Sequence, residues 1–399
     1  MGFPQFVALV AALMATNALA VDAMLPALPA IGESLSIASP NDRQWIVTAY
    51  LLGFGCAQLI YGTLADRYGR RPILLLGFAI YVVASFGAAL ATSFAVMMTA
   101  RIVQGVGAAA TRVLAVSVVR DCYSGRQMAR VMSLAFIVFL AVPIIAPSLG
   151  QVIVLVAPWR WIFLVLALFG LTVGAWTYLK LPETLHPEDR RPIAFASVWG
   201  ALRFILTTRV AMGYMLAMTL VMGALFGFIN SAQQVLSEVL GAGPYFTLVF
   251  AMIAIFMAFA SLLNARIVGR LGSRRVSHAA LIGFIVVTTL HAAWTWLGHE
   301  TIVSFAIFQS LTMFAFGLIG PNFGAMTMEP LGHVAGTASS VQGFVTTVGG
   351  AIFGFLIGQR LDGTALPMTL GFSVLGLCAL GFVLFAENGR LFRPHQKPV

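Results

Sequence analysis

Long apolar runs, separated by short polar breaks, recur along the whole chain. Most reach the ~20 residues that a helix needs to cross a hydrocarbon core. Inside a bilayer only helices and closed barrels satisfy their own backbone, and these runs lack the alternation of a barrel strand. The pattern predicts about twelve spanning helices. They lie near residues 5–30, 44–64, 72–92, 95–118, 130–156, 160–181, 210–236, 245–266, 277–297, 301–323, 334–358 and 366–386. The break between the ninth and tenth is the least distinct. The first run has no short core ending at a small-residue cleavage site, so it reads as a retained anchor rather than a removed leader.

The polar breaks organise these runs. The longest, Leu181-Pro-Glu-Thr-Leu-His-Pro-Glu-Asp-Arg-Arg-Pro192, falls near the middle and suits a connector. It implies an N-terminal six-helix bundle over 1–181, a connector over 182–209, and a C-terminal six-helix bundle with a short tail over 210–399. The densest break is Gly62-Thr-Leu-Ala-Asp66-Arg67-Tyr-Gly69-Arg70-Arg71, between the second and third runs. It is echoed in the second bundle by Gly269-Arg270-Leu-Gly272-Ser-Arg274-Arg275. Weak internal symmetry of this kind marks carriers built from repeated halves. Gly269 stands where the first copy has Asp66, so charge pairing at this turn is expected mainly in the first half.

Charge then fixes orientation. With the amino terminus inside, the inner breaks collect Arg67, Arg70, Arg71, Arg120, Arg126, Arg130, Lys180, Arg190, Arg191, Arg203, Arg209, Arg266, Arg270, Arg274, Arg275, Arg390, Arg393 and Lys397. The outer breaks hold Arg43, Arg160 and Arg360. That asymmetry predicts cytoplasmic termini. Hydrophobic residues make up 60% of the chain and charged residues 9%, where a soluble domain is about one-quarter charged. The net charge of +10 reads as topology facing anionic headgroups. No soluble basic domain is present to bind nucleic acid. Cys56, Cys122 and Cys378 are far apart and form no C-x-x-C pair, which supports neither a disulfide framework nor a zinc site. No metalloprotease helix, Walker loop or nucleophile elbow occurs. The expectation is no cofactor, no metal, no nucleotide-driven pump and no enzyme.

Charge inside a bilayer needs a partner, a wet cavity or a function. Asp22 is the only acid deep within a run, and Arg101 and Arg112 are the only such bases. On a helix the two arginines fall about 20° apart and ~16 Å along one face, with Gln104 close to it. This stripe is expected to look into a water-filled interior. Asp22 reads as the proton-binding group, tuned by one of the arginines, since burial favours the neutral acid and a nearby cation its anion. A static Asp–Arg clamp between helices is the alternative. At the dense break, Asp66 can pair with cations or with a helix terminus. Arg67, Arg70 and Arg71 can pair with acids such as Asp121 and exchange partners as a gate opens. Topology alone accounts for the arginines, but not for Asp66, Gly62 and Gly69 at these spacings. Pro143, Pro147 and Gly150 interrupt the fifth run and either bend it or pack it closely. Asn230, Gln233 and Gln234 make the seventh run polar, and Asn322 does so in the tenth. His291 reads as a packing residue.

These segments resemble the major facilitator superfamily. The break from Gly62 to Arg71 is similar to its signature loop, and Arg101-Ile-Val-Gln104-Gly105-Val-Gly107 to its Arg-x-x-Gln-Gly motif. Pro143-Ile-Ile-Ala-Pro147-Ser-Leu-Gly150 resembles the antiporter motif. Asp22-Ala-Met-Leu-Pro26-Ala-Leu-Pro29, Val119-Arg120-Asp121 and Ala335-Gly336-Thr337-Ala338-Ser339 resemble the bicyclomycin/chloramphenicol-resistance (Bcr/CflA) branch of drug:proton antiporters. The resemblance covers essentially the whole chain. It implies an all-α polytopic membrane protein with twelve transmembrane helices in two six-helix pseudo-symmetric halves, in a bacterial inner membrane. It further implies multidrug or antibiotic efflux by proton antiport, with alternating access around one central cavity. Gln104, Asn230, Gln233, Gln234 and Asn322 are candidates to line that cavity, and the antiporter motif would seal the halves against leakage. The implied partners are a small amphipathic substrate, protons and the lipid bilayer, and the carrier is a monomer. Related antiporters often carry a second acid in the first span, whereas Leu13-Met14-Ala15-Thr16-Asn17 has none. That keeps open an exporter or uncoupled facilitator of a metabolite such as a sugar or nucleoside. A non-transporting sensor is a third reading.

Overall fold

The computed structural model describes residues 1–190 and 195–392. Arg191, Arg393 and Lys397, counted above as inner charges, lie outside the described residues. The described residues are 87% helical, with no strand among them. As expected, twelve described helices are long and apolar enough to cross a membrane.

The chain divides into two compact units, Met1–Val198 and Trp199–Val399. The first holds α1 (Phe3–Asp22), the short α2 (Leu28–Ser34), α3 (Trp45–Tyr68), α4 (Arg70–Ala89), α5 (Phe94–Cys122), α6 (Gly125–Val156) and α7 (Arg160–Lys180). A helix the hydropathy pattern did not announce, α8 (Phe195–Thr207), occupies the expected connector. After it come α9 (Arg209–Gln233), α10 (Phe246–Leu271), α11 (Ser273–Trp296), α12 (Ile302–Met328), α13 (Ala335–Gly358) and α14 (Leu366–Ala386). A π-helical turn, Gln234–Val239, prolongs α9.

The two units repeat one packing scheme. In the first, α5 packs on α3, α4 and α1, while α4 packs on α7 and α1 on α6 and α7. In the second, α12 packs on α10, α11 and α9, while α11 packs on α14 and α9 on α13 and α14. Counted along each set of six spanning helices, the same pairs recur. The fourth helix is central in both, and both copies begin with a hydroxyl cap. Ser93 accepts the Val96 N–H at 3.4 Å, and Thr301 forms a reciprocal capping box with Ser304, which satisfies donors that a helix start leaves open.

The indistinct ninth break is a short turn between Trp296 and Ile302. Glu300 anchors it, accepting from Ser304 Oγ at 2.8 Å and from Thr295 Oγ1. His291, buried against Phe308 with ring centroids 4.8 Å apart, lies 3.1 Å from the Glu300 carboxylate. It therefore pairs with an acid as well as packing.

Candidate transport site

The dense break is built by a chain reversal. Gly69 closes α3, its N–H donating to Ala65 at 3.1 Å, and its φ of +102° is costly for any residue with a side chain. Space forbids one too, because a Cβ there would collide with the Glu183 carboxylate. That carboxylate caps α4, accepting the N–H groups of Arg70 at 2.8 Å and Arg71 at 3.2 Å. An anion at a helix start also answers the helix dipole. Arg70 is buried and donates from Nη1 to Asp66 at 2.6 Å and from Nε to Asp121 at 3.0 Å. Thr184 adds a bond to Asp121 at 3.1 Å. Arg71 donates to the Tyr178 carbonyl and stacks over its ring, and Arg67 lies over Tyr68. Gly62 sits within α3, two turns before the reversal. The loop is thus tied to the ends of α5 and α7 inside its own unit.

Asp22 is the last residue of α1 and is 4% exposed. Its Oδ1 has no hydrogen-bond partner among the described residues. Arg101 on α5 is fully buried and turns to backbone carbonyls instead of an acid. Its Nη2 donates to Ala20 at 3.1 Å and its Nε to Ile46 at 3.0 Å. Ala20 lies in the last turn of α1, where carbonyls lack helical partners and a cation is favoured. The guanidinium also donates to Gln104 and lies 4.5 Å over the Tyr50 ring. Gln104 passes the network on to Ser85 at 2.7 Å, and Tyr50 donates to Asn17 at 3.0 Å.

No Asp–Arg clamp joins Asp22 to either arginine among the described residues. Along the stripe of Arg101, Gln104 and Arg112 the exposure differs. The first two are sealed between helices, while Arg112 is exposed on the face that carries Val116 and Arg120.

The sequence pattern of the Major Facilitator Superfamily matches residues 10–354. The chain belongs to the major facilitator superfamily. As a major facilitator protein it is a multi-pass membrane transporter and not an enzyme. It is 31% identical to a bicyclomycin resistance protein homolog of Haemophilus influenzae, over 91% of this chain and 90% of the relative. It is 30% identical to a chloramphenicol resistance protein of Pseudomonas aeruginosa, over 92% and 88% of the respective chains. Its fold matches that of the xylose transporter XylE from E. coli in a partially occluded inward-open conformation. There the TM-score is 0.74 at 12% identity, over 95% of this chain and 97% of that one.

The echo in the second half of this major facilitator protein has its own charge ring, against the expectation drawn from Gly269. Gly272 turns the chain with φ +81°. Arg274 donates to Glu387 at 2.7 Å and to Glu329 at 3.2 Å, and Tyr214 donates to Glu387 at 2.7 Å. Glu329 follows α12 as Asp121 ends α5, and Glu387 follows α14 as Glu183 follows α7. Sequence reasoning missed Glu183, Glu329 and Glu387. The available signal was an acid just past the inner end of a span.

Pro143 and Pro147 lie inside α6, and Gly150 meets the Ala23 carbonyl so closely that a Cβ would overlap it. This contact is made within the first unit, beside Asp22. Of the polar cavity candidates, Asn230 and Gln233 are buried on α9 and Gln234 opens the π turn. Asn322 spends its amide on Asn264 at 2.6 Å and Leu318 at 2.7 Å, locking α12 to α10.

Proposed function

We propose that this carrier expels small amphipathic compounds, antibiotics among them, in exchange for protons. Its substrate site would open alternately to the two sides of a bacterial inner membrane. The observation that carries the reading is the buried Asp22 carboxyl, unpartnered at Oδ1 while Arg101 is committed to the α1 backbone two residues away. An ionised carboxylate there is an unpaired charge in a buried site, and a bound proton removes that cost. A substrate that offers a donor, or an opening that admits water, offsets the same cost. Proton and substrate occupancy are then linked, each changing the affinity for the other.

The substrate class is supported by the names of the relatives, a bicyclomycin resistance protein homolog and a chloramphenicol resistance protein. The bundles over 1–181 and 210–399, joined by the connector over 182–209, would be the moving bodies. The rings at Arg70 and Arg274 would exchange ion pairs as the inner side opens. Asn230, Gln233 and Gln234 are the proposed substrate contacts. Both termini are assigned to the cytoplasm by the arginine asymmetry, and the protein is taken to act as a monomer.

The test is proton release from the detergent-purified protein in weak buffer on adding bicyclomycin, chloramphenicol and similar amphipathic antibiotics. Wild type is expected to release protons, and Asp22→Asn to bind drug without release. In vesicles, a pH gradient should drive uphill flux in wild type alone. If wild type binds without releasing protons, the uncoupled facilitator is the better reading. Uphill transport by Asp22→Asn equal to wild type would falsify the role of Asp22.

A further inference from the structure

The connector holds a helix too short to cross the membrane and too apolar to belong in water. At ~1.5 Å per residue, a helix as short as α8 spans about 20 Å, less than a ~30 Å hydrocarbon core. It is no extension of α9, because extended Thr208 (φ −94°, ψ 102°) separates them. Its position relative to the bilayer follows from its neighbours. The preceding segment is tied to the arginine-rich turn by Glu183 and Tyr178, and Lys180 and Arg209 end the flanking spans. The helix therefore lies at a membrane surface, on the side of the dense arginine break.

Its described side chains are sorted by face, except that Phe204 is 37% exposed on the Gly200 side. Ile205 is fully buried and pins the helix to the protein. Beside it around the helix come half-buried Leu202 and then Leu206 and Trp199, which are 52% and 69% exposed. These three positions fall within about 60° of arc. Arg203 is exposed at the edge of that arc and Gly200 is exposed beyond it. From Arg190 to Arg209 the chain carries Arg190, Arg191, Arg203 and Arg209 and no acid at all. Tryptophan prefers the headgroup boundary, and an arginine beside an apolar face can lay its stem on that face and reach outward.

We propose that α8 is an in-plane interfacial helix that docks on anionic phospholipid headgroups of the leaflet on the arginine-rich side. Trp199, Leu202 and Leu206 enter the acyl boundary, and Arg203 with its flanking arginines holds the negative headgroups. The face suits a lipid surface because it is apolar in the middle, basic at the edge and free of acids.

The experiment uses the full-length protein with Cys56, Cys122 and Cys378 replaced by serine and drug binding retained. A bimane label is placed through Leu206→Cys or through Gly200→Cys. Each protein is reconstituted in vesicles of phosphatidylcholine, with or without phosphatidylglycerol. The label at position 206 is expected to be quenched several-fold more by brominated lipid than the label at 200, and the label at 200 more by aqueous iodide. Phosphatidylglycerol should deepen the contrast, and Arg203→Gln should remove that dependence while leaving drug binding intact. Equal iodide access at both positions would overturn the proposal. So would a phosphatidylglycerol effect that survives Arg203→Gln, or concentration-dependent disulfides between copies through position 206, which would assign the face to a second copy of this chain.

Discussion

Arg101 keeps its charge inside a spanning unit by bonding two carbonyls, one amide and one aromatic face. Removing it as Arg101→Ala leaves those buried acceptors open and empties a large buried volume. A loss of about 3 kcal/mol is expected, read as a lower melting temperature in detergent, and Arg101→Lys should recover only part of it. An unchanged melting temperature would sink the argument. Asp22 and Arg101 were legible in the sequence because any charge within an apolar run is conspicuous. Their partners were not, since a backbone carbonyl leaves no mark on the sequence. Glu300 gives a test in pH. Burial opposes its charge, yet bonds from His291, Thr295 and Ser304 and the nearby imidazole hold its carboxyl below the usual glutamate range. The stabilisation is present above the unfolded value and disappears as pH falls through the folded one. Wild type should melt higher than Glu300→Gln near neutrality, with the gap closing in acid. A gap that persists below roughly pH 3 counts against it.

Helices announced themselves by hydropathy wherever they were long and apolar, including the two that flank the least distinct break, and the short α8 was missed. The connector helix α8 sits beside prolines and arginines that read as loop. The turn between α11 and α12 is so short that the flanking runs nearly fuse. Element ends carry more of the structure than the runs suggest. The Glu183 carboxylate takes two N–H groups at the start of α4 and two more, from Thr184 and Leu185, in its own segment. Glu183→Ala should cost about 1–2 kcal/mol, as for loss of a helix cap. Faster backbone hydrogen exchange at Arg70 and Arg71 should accompany it. Protection at those amides equal to wild type would mean that another group caps the helix.

At the scale of the whole chain, each unit carries the same helix pairings and one arginine-centred ring. The rings were half legible. Arg70, Asp66 and Asp121 lie in recognisable motifs, but the second ring draws its acids from the ends of α12 and α14 rather than from the echoed turn. Removing one partner of a buried pair costs about 3–5 kcal/mol. The Asp66 contribution counts for less, because that side chain is 43% exposed. Arg70 pairs with Asp66 and Asp121 and Arg274 with Glu329 and Glu387, so the losses in melting stability of Arg70→Ala and Arg274→Ala should add within about 0.5 kcal/mol. Strong non-additivity would show that the two rings act as one element.

The backbone grip on Arg101 has an electrical consequence. Because that cation is bonded to no acid, Arg101 and Asp22 together bear one formal positive charge when the Asp22 carboxyl is protonated, and none when it is ionised. Voltage across a membrane does work on such a difference, about 2.3 kcal/mol per elementary charge for each 100 mV crossed. On the proposed proton exchange, the proton-loaded and proton-free forms would therefore feel the cell's membrane potential differently, even with no drug aboard.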